Sequence, residues 1–346
     1  MMLMENFFLR LSCEHPSLPM AEVKAILEAE RIPYTLNSSL PCVFRFSSLK
    51  ESIRTILKRS SMSFFGAKEL VFCNADYDSI IKACRDVDWS FLNGKSFHVR
   101  VHRVLSSSAN LSTRTLESMI GEIIYKSLNG SARVKFDSPE EIIVGILSGG
   151  SFLLGVLLGE SCRRDFHSRW VGNRPFIHPS SLNPIISRLF VNLCRARPGG
   201  LFFDPFCGFG GFLIEAALIG CEVVGLDIDI KMIRGCLINL RYFNIKNYNL
   251  ILGDAKHLPF KSVNFVATDP PYGRTASTKG MNLKNLIKCF LQDIYGLMSK
   301  DGYICIAAPE NVDLKNIGLD VGFKLVESHV MRVHKSLIRE ICVFKV

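Results

Sequence analysis

The chain has 346 residues, 48% of them hydrophobic and 21% charged, with a formal net charge of +10. That length suits two or three domains, and that apolar content excludes a chain disordered throughout. No apolar run is long enough for a membrane-spanning helix, and the first residues lack a basic stretch ahead of an apolar one, so a cytoplasmic protein free of membrane is expected. The positive charge suggests an anionic partner, which charge alone does not identify. The twelve cysteines are scattered, without a C-x-x-C pair or zinc-ligand spacing. They are expected to be reduced thiols and to hold no metal, with Cys42, Cys73, Cys221, Cys305 and Cys342 acting as small buried hydrophobes.

In chain order, Phe7 to Leu11 reads as an apolar strand. Pro19 to Glu30 has helical spacing through Val23, Ile26 and Leu27, and Val43 to Phe46 alternates like a short strand. These place a first region over residues 1–48. A second, 49–160, holds a basic alternating strand, Phe97 to Val104, whose His98, Arg100 and His102 share one face. A helix over Ser112 to Leu128 follows, then a hairpin of Glu141 to Leu147 and Ser151 to Leu158 across Ser148-Gly149-Gly150. Between 161 and 184 periodicity disappears, and Arg163, Arg164, Arg169, Trp170, Arg174 and His178 interleave with prolines. This reads as a basic linker, either a solvated connector or a strap that tracks phosphates.

From 185 to 346 strands and helices alternate regularly, which predicts a parallel sheet covered on both faces and an α/β core. The expected elements are helix Ile185–Cys194, strand Leu201–Asp204, helix Gly211–Ile219, strand Glu222–Asp227, helix Ile230–Phe243 and strand Asn249–Asp254. Strand Asn264–Asp269, helix Asn282–Met298 and strand Gly302–Ala308 come next. The last two strands, Lys324–Val333 and Glu340–Val346, are joined closely enough to be antiparallel, an arrangement similar to that of methyltransferases.

Two stretches carry chemistry. Asp204-Pro205-Phe206-Cys207-Gly208-Phe209-Gly210-Gly211 joins the first of these strands to a helix, with glycines that let the backbone turn sharply and approach a ligand. Asp227, Asp254 (in Gly253-Asp254-Ala255) and Asp269 end the next three strands, where ligands of open α/β sheets bind. Asp227 stands at about the 20-residue spacing at which an acid meets ribose hydroxyls, and Asp254 can accept from an adenine amine. A pyrophosphate would want basic groups beside the glycines, whereas the loop offers acids and a cysteine. S-adenosylmethionine has no phosphate and carries a sulfonium cation, so it is the expected cofactor. The second stretch is Thr268-Asp269-Pro270-Pro271-Tyr272-Gly273-Arg274. Its acid, its carbonyls without competing N–H donors and its flat ring suit an exocyclic amine on a planar base.

Together the Asp-Pro-Phe-Cys-Gly-x-Gly-Gly and Thr-Asp-Pro-Pro-Tyr-Gly-Arg stretches resemble those of the archaeal tRNA guanine-10 N2-methyltransferase family. Leu9-Arg10-Leu11-Ser12-Cys13-Glu14-His15-Pro16 and Arg174-Pro175-Phe176-Ile177-His178-Pro179 extend the resemblance over essentially the whole chain. Asp-Pro-Pro-Tyr alone is shared with DNA amino-methyltransferases. The Asp at 269, where related enzymes acting on other guanines usually carry Asn, fits the guanine-10 branch. The resemblance implies an N-terminal α+β region, ferredoxin-like over 1–48 and THUMP over 49–160, ahead of a Rossmann-like class I methyltransferase domain with a seven-stranded sheet. It implies tRNA as partner, with the chain expected to act as a monomer.

By the same resemblance Asp269 and the Pro270 carbonyl would hold the amine of guanine, Tyr272 would stack on the base, and Pro271, Gly273 and Arg274 would flank it. Asp204 and the Cys207-Gly208-Phe209-Gly210 loop would surround the methionine end of the donor. Asp227 with Ile228 would meet its ribose and Asp254 with Ala255 its adenine, while His178 and Pro179 would lie beside it. Arg100, Arg103, Arg114 and Arg174 would bind RNA. Phe209 departs from the family, which generally has Thr or Ser there. Two alternatives remain open at this point: a non-catalytic RNA-binding protein with a degenerate methyltransferase fold, and an amino-methyltransferase of another RNA or DNA base.

Overall fold

The computed structural model describes residues 4–161, 163–177, 182–256, 258, 260–272, 283–334 and 337–346. They form two compact units, one built from the chain up to Val23, Ile32–Lys58 and Met62–Ser161, the other from Lys24–Arg31, Arg59–Ser61 and the chain beyond Ser161.

The first unit contains one eight-stranded sheet. Its strands are β1 (Glu5–Leu11), β2 (Tyr34–Leu40), β3 (Val43–Ser48), β4 (Ser63–Asn74), β5 (Ser96–Arg103), β6 (Arg133–Val134), β7 (Glu141–Ser148) and β8 (Ser151–Glu160). They run in the order β2-β3-β1-β4-β8-β7-β5-β6. The helices of this half of the chain are α1 (Leu18–Ala29), α2 (Glu51–Arg59), α3 (Tyr77–Arg85) and α4 (Thr113–Ser127). Ile80 of α3 and Leu116, Ile120 and Ile124 of α4 pack against Val99 and Val101 of β5 and Ile143 and Leu147 of β7. This is the apolar face that the alternation of β5 predicts, with Arg100 on the exposed side. The expected hairpin is β7–β8, turned by Gly149 and Gly150 at φ +56° and +77°. Positive φ at both places makes glycine the unstrained residue there.

This unit departs from the sequence reading, which placed neither β2, α2 nor α3, most plainly in β4 and in a disulfide. Strand β4 was not visible in Ser63–Asn74, because Lys68 and Glu69 interrupt its apolar pattern and two register shifts break its pairing with β8. Ladders with β1 on one side and β8 on the other secure it. Cys13 and Cys42 are joined as a disulfide, which corrects the expectation of twelve free thiols. The antiparallel pairing of β1 with β3 brings them together, and Leu11 N donates to Cys42 O at 2.9 Å.

The second unit has α5 (Arg163–Ser168), α6 (Pro184–Leu193), β9 (Leu201–Asp204), α7 (Gly211–Ile219), β10 (Glu222–Asp227), α8 (Ile230–Tyr242) and β11 (Tyr248–Leu252). There follow β12 (Val263–Thr268), α9 (Leu283–Tyr295), β13 (Met298–Pro309), α10 (Leu314–Val321), β14 (Lys324–His334) and β15 (Leu337–Lys345). The sheet order is β11-β10-β9-β12-β13-β15-β14. Strands β9 to β13 pair in parallel, and β15 enters antiparallel between β13 and β14. Central strands covered on both faces must be apolar throughout. Phe202, Phe203, Val266, Ala267 and Ile304 to Ala308 are accordingly all fully buried. The chain runs outward from β9 through β10 to β11, then returns to place β12 on the other side of β9. That reversal opens a crevice at the carboxyl ends of β9, β10 and β12.

In the segment read as a basic linker, Arg169 and Arg174 are packed inward, while Arg164, His167 and Trp170 are exposed. Arg169 donates to both carboxylate oxygens of Glu215 in α7, at 2.7 and 3.2 Å, and Arg188 in α6 donates to Oε2 at 2.8 Å. Glu215 is fully buried. Arg174 is buried as well, its Nε donating to the Arg169 carbonyl at 3.1 Å. One acid inside α7 thus organises cations that the sequence shows only as a charged run. A Glu215→Ala variant is expected to lose about 3–5 kcal/mol of stability, because Arg169 and Arg188 would remain buried without their counter-ion. Urea denaturation of the two proteins measures the difference.

Candidate active site

The glycine loop is fastened to the end of β10. Cys207 N donates to Leu226 O at 3.0 Å and Gly210 N to Cys207 O at 2.8 Å. Gly208 and Gly210 have φ of +47° and +80°. A Cβ on Gly210 would stand 2.7 Å from Cys236 Sγ, so glycine is required there on two counts. A Cβ on Gly208 would meet nothing within 4 Å, so the loop presents bare backbone to open space at this point. The hydrogen-bonding contact with Cys236, and then burial, push the Cys207 thiol well above its ordinary value, so it is not set up as a nucleophile.

Asp204 and Asp227 end β9 and β10, whereas Asp254 and Asp269 follow the ends of β11 and β12, and each has a different partner. Asp204 is buried, and its Oδ1 accepts from Thr268 Oγ1 at 2.9 Å and Phe206 N at 3.2 Å. Desolvation raises its carboxyl to about 8, with the charges of Asp227 and Asp269 adding to the rise. Asp227 accepts from Gly208 N at 3.0 Å and Asp229 N at 2.9 Å. Burial raises its carboxyl too, and those amides oppose the rise. Ile228 beside it is exposed, while Ala255 is buried in the core. Asp254 accepts from Lys256 N at 3.1 Å and lies 3.4 Å from Lys256 Nζ. These residues fit the predicted methyl donor. The partly exposed Asp227 and Asp254 keep free lone pairs for hydroxyl and amine donors, and the open backbone at Gly208 leaves room for a ligand.

Phe209 does not point its chemistry at that space. Its ring stacks on Phe176 at 5.2 Å between centroids and an angle of 25°. The stack leans on Gly235 of α8, where a Cβ would come within 2.5 Å of Phe176 and 2.9 Å of Phe209. Asn239 Nδ2 completes the arrangement by donating to the carbonyls of Phe176 and Phe209 at 3.0 and 3.1 Å. The side chain at 209 is therefore used for packing, and the backbone of the loop is held in place by it.

At the end of β12, Asp269 is half-buried and Pro270 buried. The Tyr272 hydroxyl donates to Asp269 Oδ1, and Arg339 of β15 forms an ion pair with Oδ2 at 3.1 Å. The Arg339 guanidinium also lies over the Tyr272 ring, 5.4 Å from its centroid. Sequence reading missed Arg339, which stands seventy positions from Asp269 and one residue before the strand it predicted at Glu340. Pro271 lies within the described loop. His178, Pro179, Gly273 and Arg274 fall outside the described residues.

Of the arginines expected on RNA, Arg100 and Arg114 are exposed in the first unit. Arg103 turns inward to the carbonyls of Ser107, Ser108 and Leu111, and Arg174 is buried as described above. Burial and internal hydrogen bonds take these two out of a phosphate-binding face.

A sheet of this order, with a glycine loop after its first strand and acids at the following strand ends, defines a Rossmann-like methyltransferase. The family described as RMKL-like, methyltransferase domain, matches residues 171–341, and the THUMP domain matches residues 74–156. The chain is 34% identical to the tRNA (guanine(10)-N2)-dimethyltransferase of Methanothermobacter thermautotrophicus, over 97% of this chain and 98% of that protein. It is 32% identical to the enzyme of the same name from Pyrococcus abyssi, over 94% of each. The crystal structure of TrmN from Thermus thermophilus shares the fold, with a TM-score of 0.56 at 20% identity over 98% of this chain and 99% of that one. The chain belongs to the family of tRNA (guanine(10)-N2)-dimethyltransferases.

The raised carboxyl of Asp204 has a consequence for stability. An acid neutral in the folded state and ionised in the unfolded one weakens the fold as pH climbs from the ordinary value of 3.8 to about 8. Asp204→Asn removes that ionisation while retaining an acceptor for Thr268. Its melting temperature is expected to gain on wild type across this window and to hold a constant lead at higher pH, as differential scanning fluorimetry would record.

Proposed function

We propose that this chain methylates the exocyclic N2 amine of guanosine 10 in tRNA with S-adenosylmethionine, first to the monomethyl and then to the dimethyl product. The observation that carries this reading is the Asp269-Pro270-Pro271-Tyr272 group at the end of β12, one strand from the glycine loop after β9 and two from Asp227 on β10. The names of the full-length relatives support the same substrate.

Asp227, Asp254 and the backbone at Gly208 would hold the donor. When bound, S-adenosylmethionine supplies a methyl group that bonds to the lone pair of the amine, while the broken carbon–sulfur pair stays on sulfur. That lone pair is normally delocalised into the guanine ring. Asp269 Oδ1 and the Pro270 carbonyl, each accepting one N–H, would turn it out of the ring plane and aim it. Holding two reactants in line accounts for much of the acceleration in such sites. The carboxylate also faces the positive charge that develops on nitrogen, and Oδ1 would take the proton that the methylated amine releases. Tyr272 provides the ring for stacking. A monomethyl amine retains one N–H, so a second round needs no new acceptor.

The substrate amine lies in the minor groove of an RNA helix, so the nucleotide would leave its stack to reach this crevice. Arg100 and Arg114 offer exposed cations for the tRNA backbone in the THUMP unit, and the chain would act as a monomer in the cytoplasm. The packed Phe209 favours the catalytic reading over a degenerate fold, because the loop backbone remains turned to the open space at Gly208.

Two outcomes are expected. Asp269→Ala should abolish methyl transfer to unmodified tRNA, while calorimetry finds S-adenosylhomocysteine binding within about twofold of wild type, since Asp269 meets the amine rather than the donor. Mass spectrometry of nucleosides from tRNA treated with wild-type enzyme should show N2-methylguanosine first and N2,N2-dimethylguanosine later, both mapped to position 10.

A further inference from the structure

We propose that Arg339 is the positioning residue of the amine acceptor: it fixes Asp269 through Oδ2 so that Oδ1 alone faces the incoming base, and the Tyr272 hydroxyl caps Oδ1 until the base displaces it. The proposal rests on the role assigned to Asp269 above and adds a residue from a strand that carries none of the recognised motifs.

Geometry supports it first. A carboxylate at a strand end can rotate about its last bond, and a free one would offer either oxygen to the substrate. Here the two oxygens are distinguished. Oδ2 is paired with Arg339 Nη2 at 3.1 Å, and Oδ1 is paired with the Tyr272 hydroxyl. Arg339 is itself buried, so the pair is shielded from water and salt, where an ion pair is strongest. It is anchored by its place in β15, where it registers with Pro309 of β13 and Met331 of β14. Its Nε and Nη1 have no hydrogen-bond partner among the described residues, so Asp269 is its ionic contact in this part of the site.

The second support is electrostatic. Facing the charge that develops on nitrogen and taking its proton require the carboxylate form, and the surroundings of Asp269 oppose that. Burial raises its carboxyl above the ordinary value, while Arg339 and the Tyr272 hydroxyl draw it back. Asp204 at the end of β9 is the acidic neighbour, and it adds repulsion when ionised. The facing end of β13, Ile306 to Pro309, carries no charge. Arg339 is therefore the cation that favours the ionised form of Asp269 against its burial.

The Tyr272 cap explains how a buried acid survives without substrate. The hydroxyl occupies the acceptor position that the N2 amine requires, so one hydrogen bond replaces another as the base enters. The ring that carries the hydroxyl would then be free to stack on the base.

The test uses the full-length protein with Arg339→Gln and Arg339→Lys. Single-turnover methylation of unmodified tRNA would be followed across pH, with S-adenosylhomocysteine affinity measured by calorimetry. Arg339→Gln should slow methylation at least about tenfold near neutrality and move the acidic inflection of the rate up by about one to three pH units, the shift a lost cation gives a carboxylate. The rate should recover as pH rises and the acid ionises without help. Arg339→Lys should restore part of the rate and of the shift. Donor-product affinity should stay within twofold for both variants. A loss equal at every pH, an unchanged rate, or loss of S-adenosylhomocysteine binding would overturn the positioning role. Asp269→Asn separates the two levels. Full activity in that variant defeats the Asp269 assignment itself, whereas an inactive Asp269→Asn beside a fully active Arg339→Gln defeats only the role of Arg339.

Discussion

Acids gathered at neighbouring strand ends repel one another and resist leaving water, and the catalytic crevice depends on how each one is reconciled to that position. Burial raises the carboxyl of Asp204 to about 8, which favours its protonated form, and it shares a hydrogen bond with Thr268. Asp227 is held by the backbone amides of Gly208 and Asp229, and Asp254 by Lys256. Asp269 has Arg339 and the Tyr272 hydroxyl. Four solutions to one problem produce four different acids. Burial favours the neutral form of Asp204; Asp227 and Asp254 keep free lone pairs, and Asp269 lies between a cation and an aromatic ring. Environment, rather than residue type, divides the labour.

The support beneath the crevice follows similar physics. Glu215 sits fully buried in α7, the helix that the glycine loop opens, and draws Arg169 and Arg188 around it. The Phe176–Phe209 stack, resting on Gly235 and tied by Asn239, holds the loop from the other side. The loop is thus supported by a buried ion cluster and an aromatic pair, and its backbone remains open at Gly208. Phe209 and Gly235 form a matched pair. A bulky ring at one position is accommodated because the helix facing it has no side chain.

Much of this protein was legible in one dimension. Parallel strands buried on both faces leave uninterrupted apolar runs, and helices between them leave a different period, so the order of the second unit could be read directly. Glycines at positive φ and acids at strand ends mark the crevice, because these are local requirements of turns and strand termini. Strand β4 escaped because its charged residues look like a loop until both flanking ladders are present. The inward packing of Arg169 and Arg174 escaped for the opposite reason. These arginines looked solvent-facing, and only the burial of Glu215 shows what they neutralise.

The sequence by itself determined the fold class, the place of the glycine loop, the ranks of acids and the resemblance that located the family, since each is written in spacing or in a contiguous motif. Tertiary structure alone decided which partner each oxygen of Asp269 has, which arginines are buried, and that Cys13 meets Cys42. Those facts arise between residues far apart in the chain. A charge has no assigned partner until the sheet closes, and the order of its strands brings Arg339 from the C-terminal hairpin to an acid on β12.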